Sequence, residues 1–157
     1  MTRIKEKFTA LESQNQKALI AYIMVGFPNE KATISTVRGL VKGGVDIIEL
    51  GFPFSDPLAD GPVIQNASTI SLQKGANIAK FFSLVKKIRK ETDVPIVLMT
   101  YTNILYNKGY AKFIAEATKV GIDGFILPDM SIEESKEYLL AAKSKADTIF
   151  LISPNTS

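Results

Sequence analysis

From Asp46 to Gln65 the chain reads DIIELGFPFSDPLADGPVIQ. Asp46–Leu50 is a short β-rich run in which apolar Ile47 and Ile48 lead into Glu49 and Leu50, ahead of Gly51. The run is continuous rather than alternating, which marks a strand buried on both faces and therefore a parallel sheet. A carboxylate at the C-terminal end of such a strand stands where parallel α/β enzymes place their chemistry. The loop that follows holds Pro53, Pro57 and Pro62, which stiffen it, and two acids four residues apart, Asp56 and Asp60. Each acid also has a plain reading, as a strand-end charge, a turn former or a helix cap. The EF-hand pattern D-x-[DN]-x-[DN]-G is absent, and too few oxygen ligands gather for calcium. Two carboxylates near one strand end suggest a general acid–base pair.

Four more runs of the same kind lie on either side, at Leu19–Met24, Ile96–Thr100, Gly124–Leu127 and Thr148–Ile152. Helical periodicity fills the gaps between them. Arg3–Ser13 carries Ile4, Phe8 and Leu11. Ile34, Val37, Leu40 and Val41 recur at helical spacing and stop at Gly43-Gly44. An extra helix is predicted near Gln65–Lys74. Ile78, Phe81, Phe82, Val85 and Ile88 form one inward stripe, and Tyr110, Phe113, Ile114, Ala117 and Val120 another, capped by Gly121. Ser131 and Glu134 have capping-box spacing, ahead of a face made by Ser135, Tyr138, Leu139 and Ala142.

The order is thus one helix and then β–α repeats, which leaves an open doubly wound sheet or a (β/α)8 barrel. Val25-Gly26-Phe27-Pro28 after the first strand is not a G-x-G-x-x-G fingerprint. A helix ahead of the first strand fits a barrel, whose bottom it can plug. A full barrel has eight strands in about 250 residues. Five strands in 157 residues are in the same proportion. The barrel reading therefore makes residues 1–157 a single partial domain, an incomplete barrel of about five parallel strands with flanking helices.

Composition narrows the chemistry. The chain is 46% hydrophobic and 22% charged, enough for one real core. It has no Cys and no His, so thiol nucleophiles, disulfides, Ser-His pairs and histidine- or cysteine-ligated metals are excluded. Acid–base work falls to Asp, Glu, Lys or Tyr. The net charge of +3 is small. The cluster Lys86, Lys87, Arg89 and Lys90 reads as a solvated helix face beneath inward Val85 and Ile88 rather than a nucleic-acid patch. The N-terminal MTRIKEKFTALES lacks the apolar stretch of a signal peptide, and no apolar run approaches a membrane span, so a cytoplasmic protein is expected.

The run Glu49–Gln65 closely resembles the signature of the tryptophan synthase alpha chain family. Ala18–Pro28, Leu98–Asn103 and Gly121–Asp129 resemble that family's first strand and loop, third-strand end and fourth strand. The resemblance covers the whole chain. It implies a (β/α)8 barrel that cleaves indole-3-glycerol phosphate by retro-aldol reaction to indole and glyceraldehyde 3-phosphate, in tryptophan biosynthesis. By resemblance, Glu49 is the catalytic acid–base carboxylate and Asp60 the carboxylate facing the indole N–H. Tyr22, Ile64, Met99, Tyr101 and Ile126 match positions lining the indole pocket or close to it, though each is also plausible barrel core. Pro53, Asp56, Pro57 and Asn103 match the surface that meets the beta subunit in an alpha2-beta2 heterotetramer. No metal and no cofactor are implied for this chain; pyridoxal phosphate belongs to the beta subunit. The family's phosphate-gripping glycine-rich loops follow its seventh and eighth strands, so the 157 residues alone are expected to be inactive. The alternative is a noncatalytic piece that binds the beta subunit. Another phosphosugar barrel, such as an epimerase, fits less well, lacking metal-binding His or a strand-end Lys.

Overall fold

All five apolar runs join one sheet, in the order β1-β2-β3-β4-β5 with every pairing parallel. The structure is a computed structural model and describes residues 2–154 and Thr156. The strands are β1 (Ile20–Met24), β2 (Ile47–Gly51), β3 (Ile96–Met99), β4 (Gly124–Ile126) and β5 (Asp147–Ile149). The helices are α1 (Arg3–Ser13), α2 (Glu30–Lys42), α3 (Pro62–Gln73), α4 (Ile78–Arg89), α5 (Thr102–Tyr106), α6 (Tyr110–Val120) and α7 (Lys136–Ala142). Sequential strands pairing in parallel, with helical crossovers between them, is the βα-repeat order the sequence predicts.

Local chemistry sets the helix ends. The side chains of Asn29 and Asn77 accept the amides of Ala32 and Lys80 at 2.9 and 3.0 Å, capping α2 and α4. Pro62 opens α3 without wasting an amide. Gly121 closes α6 at φ 106°, a left-handed position.

The strands have two unlike faces. Ile48, Leu50, Leu98 and Phe125 point to the helices and join Phe81, Val85, Phe113 and Ile114 in the main core. Each such side chain, fully buried, contributes roughly 1.5–3 kcal/mol. Ile47, Val97 and Ile126 point the other way and pack on Ile4 of α1. A Cβ at Gly124 would lie 2.9 Å from the Ile4 side chain, so the missing side chain of β4 makes room for the helix. Arg3 then pins α1 to Asp123 at 2.9 Å, beneath the sheet.

Several expectations are corrected. The fifth strand ends at Ile149, and Leu151 and Ile152 are exposed. Its partner β4 offers only three residues, and Pro128 soon after has no amide to donate. Of the last five residues of the sequence, Asn155 and Ser157 lie outside the described residues. Ser131 and Glu134 do bond to each other, but on a turn ahead of α7, which starts at Lys136. Leu139 and Phe8 are exposed rather than inward. Arg89 leaves the solvated basic face. It bonds the carbonyls of Thr92, Val94 and Gly121 and pairs with Asp123 at 2.8 Å. The sequence reading did not anticipate α5.

Candidate active site at the strand ends

Strand register places Tyr22 beside Glu49 and Met24 beside Gly51, all on the inner face. Tyr22 leans along the strand, so a Cβ on Gly51 would lie 2.1 Å from its hydroxyl oxygen. Only glycine leaves that space. Tyr22 is half-buried, and its phenol is held well above the usual range by burial and by the nearby charges of Asp60 and Glu49. Both carboxylates are thus within electrostatic reach of one hydroxyl. Glu49 is itself half-buried, and burial raises its carboxyl above the ordinary glutamate range. Burial also raises Asp60, against the opposing effect of a hydrogen bond donated by the Tyr101 hydroxyl.

The loop carrying Asp60 is built rather than slack. The Ser68 hydroxyl, on α3 and buried, accepts the Phe54 amide and donates to the Phe54 carbonyl, both at 3.0 Å. The Phe54 ring stacks on Tyr101 at 4.9 Å between centroids. The Tyr101 hydroxyl accepts the Ala59 amide at 3.0 Å, one residue from Asp60. Gln65 donates to the Asp60 carbonyl at 2.8 Å. Tyr101 precedes Thr102, whose amide and hydroxyl both donate to Asp129 at 2.9 Å. Three strand-end loops are thus tied together.

Tyr22, Glu49, Asp60 and Tyr101 come together. Met99, partly buried, lies one register step along, paired with Gly51. Ile64 lines, with Tyr22, Met24, Phe27 and Val63, a cleft of about 330 Å³ along the free edge of β1. Ile126 packs deeper, against Ile4. Tyr101 is only 4% exposed, and its polar end is engaged by the loop. Asp56 and Asn103 are exposed and Pro57 is half-buried, whereas Pro53 is buried and stiffens the loop from within. A second cavity, of about 180 Å³, lies away from the carboxylates; Lys74 and Lys80 on its rim already bond the carbonyls of Pro28 and Gly75. Sequence reasoning gave no role to Ser68 or Asp129 and did not foresee the bonds of Thr102 to Asp129, since these pairs meet across residues far away in sequence.

A parallel sheet with helical crossovers, a helix under its inner face and carboxylates at its C-terminal strand ends defines the (β/α)-barrel class, here with the sheet unclosed. The family model described as tryptophan synthase alpha chain matches residues 8–157, and the chain belongs to that family. Among relatives, the tryptophan synthase alpha chain of Solibacter usitatus is 44% identical over all of this chain and 59% of its own length. That of Methanosarcina acetivorans is 46% identical over 99% and 57%. The crystal structure of the alpha subunit from Legionella pneumophila matches with TM-score 0.96 and 37% identity, covering 100% of this chain and 61% of that one. A chain from the tryptophan synthase a2b2 complex of Pyrococcus furiosus matches with TM-score 0.84 and 38% identity, covering 89% and 60%. The chain therefore spans about three-fifths of the length of these relatives. Among the described residues, no helix is long and apolar enough to cross a membrane.

Proposed function

We propose that the chain carries the acid–base carboxylates of a carbon–carbon lyase that splits indole-3-glycerol phosphate into indole and glyceraldehyde 3-phosphate. The observation that carries this is that Glu49, near the end of β2, and Asp60, on the loop after it, both act electrostatically on one phenol, in a chain of this family. The reaction moves one proton from the glycerol hydroxyl on the scissile carbon and places one on indole C3, so the products together have the substrate's atoms. Glu49 suits the proton transfers, because burial shifts it toward the range where a carboxyl exchanges protons near neutrality. Asp60 suits the indole N–H, where positive charge grows as C3 is protonated. The Tyr101 hydroxyl favours the charged form of Asp60, against the effect of burial. Neither step requires a cofactor in this chain.

The exposed Asp56 and Asn103 support a surface for the tryptophan synthase beta subunit, the partner that holds pyridoxal phosphate. The 157 residues alone are not expected to turn over substrate, since the phosphate grip belongs to strands beyond the fifth. A piece that only binds the beta subunit is the second reading, favoured by that same surface. Single-turnover cleavage by the full reading frame tests the first reading. Wild type should release indole, and Glu49→Gln should lose about 10²–10⁴ in rate, the worth of a positioned acid–base group. A variant keeping more than about a tenth of the rate would return Glu49 to a strand-end charge, against that range. A pull-down of the 157-residue chain with the beta subunit tests the second.

A further inference from the structure

Tyr22 was assigned above only to the wall of the indole pocket, a task for which a phenyl ring suffices. Its hydroxyl is not accounted for by packing. The oxygen lies over Gly51, in space that any other residue would fill. It makes no hydrogen bond to any described residue. The hydroxyl is not sealed off from solvent, so a ligand atom can reach it. Its neighbours are two carboxylates, Asp60 and Glu49. If these serve the indole N–H and the proton transfers, the scissile bond lies between them. The polar substrate atom on that bond is the hydroxyl oxygen of the chain carbon attached to the ring.

Resting on the proposed lyase reading, we infer that the Tyr22 hydroxyl is a substrate-binding group that hydrogen-bonds the chain hydroxyl next to the ring, turning it toward Glu49. The burial and charges around Tyr22 keep its proton on at neutral pH, so the phenol is available as a donor while its oxygen still accepts. Selection follows from the same contact. A substrate with this hydroxyl gains a partner, whereas an analogue without it leaves the phenol as it is in the free protein.

The test compares wild type and Tyr22→Phe in the full-length protein with two ligands. One is indole-3-glycerol phosphate. The other is the phosphate ester of indole-3-propanol, which has the ring and the phosphate but no chain hydroxyls. Tyr22→Phe should lower kcat/KM for the substrate about threefold to tenfold, the usual worth of one neutral hydrogen bond, and leave the Kd of the propanol ester unchanged within about twofold. Unchanged kcat/KM, or equal losses for both ligands, would overturn the inference while leaving the lyase reading intact. A wild-type protein that neither cleaves the substrate nor binds the ester would overturn the lyase reading and this inference with it.

Discussion

At the scale of single residues, the same burial that suits Glu49 to proton transfer acts against the fold. A carboxyl raised above its ordinary 4.5 binds its proton more tightly in the folded chain than in the unfolded one. Folding is therefore favoured below the ordinary value, and that contribution is lost as pH rises through the raised one. Glu49→Gln removes the burden. In the full-length protein it should melt higher than wild type at pH 7, and the difference should shrink to nothing near pH 4, as thermal melts across that range would record. Stability and activity should thus move in opposite directions at this residue. Asp60→Asn should show the same sign in stability and also slow cleavage, since an amide cannot balance charge on the ring. Tyr101→Phe differs. It strips the partner from the Ala59 amide and from Asp60 and should cost about 1–2 kcal/mol in urea unfolding, with a fall in cleavage rate.

At the scale of elements, the loop between β2 and α3 is the working part, and Ser68 is its anchor. Ser68→Ala leaves both the amide and the carbonyl of Phe54 without their partner. It should cost about 1–3 kcal/mol and speed hydrogen exchange at the Phe54 amide, while amides of α6 keep their protection. Asp56, exposed on the same stiff loop, should act on communication instead. Asp56→Ala should weaken activation by the beta subunit more than the basal rate of the free protein, and equal losses in the two assays would make it merely structural. How far these elements were readable from sequence follows from what periodicity reports. Ile47-Ile48 and Ile96–Leu98 announce buried strands, and the stripe from Phe81 to Ile88 announces its face, because burial is periodic in the chain. Periodicity says nothing about which polar group a residue meets. Arg89 finds Asp123, Ser68 finds Phe54 and Thr102 finds Asp129 across distances in sequence that no local pattern spans. The short α5 begins where Asp129 takes up the Thr102 amide and was invisible for that reason. Glu49 and Asp60 were readable from a strand end and a family motif, whereas the placement of the Tyr22 hydroxyl depends on a glycine in the next strand.

At the scale of the whole molecule, the sheet of the described residues has two free edges, β1 and β5. A parallel sheet normally has both faces covered, and its edges invite pairing with another chain. Part of the exposed apolar surface lies at these edges. Leu19 and Ile20 are exposed beside β1, Val63 lies over the cleft at that edge, and Leu151 and Ile152, the latter 79% exposed, follow β5. The inner face is plugged from below by Ile4 but has Met99 and Ile149 only partly covered. These features belong to one geometry, a barrel wall whose remaining strands would cover both edges at once. The isolated 157-residue polypeptide should therefore bind the dye ANS, and should associate as its concentration rises, with a melting midpoint that depends on concentration. The full-length protein should do neither. Light scattering and thermal melts over a hundredfold range of concentration would decide it. A monomer that melts sharply at one temperature throughout, without binding dye, would mean that five strands and Ile4 close a self-sufficient core, and the barrel-wall account of the edges would fall.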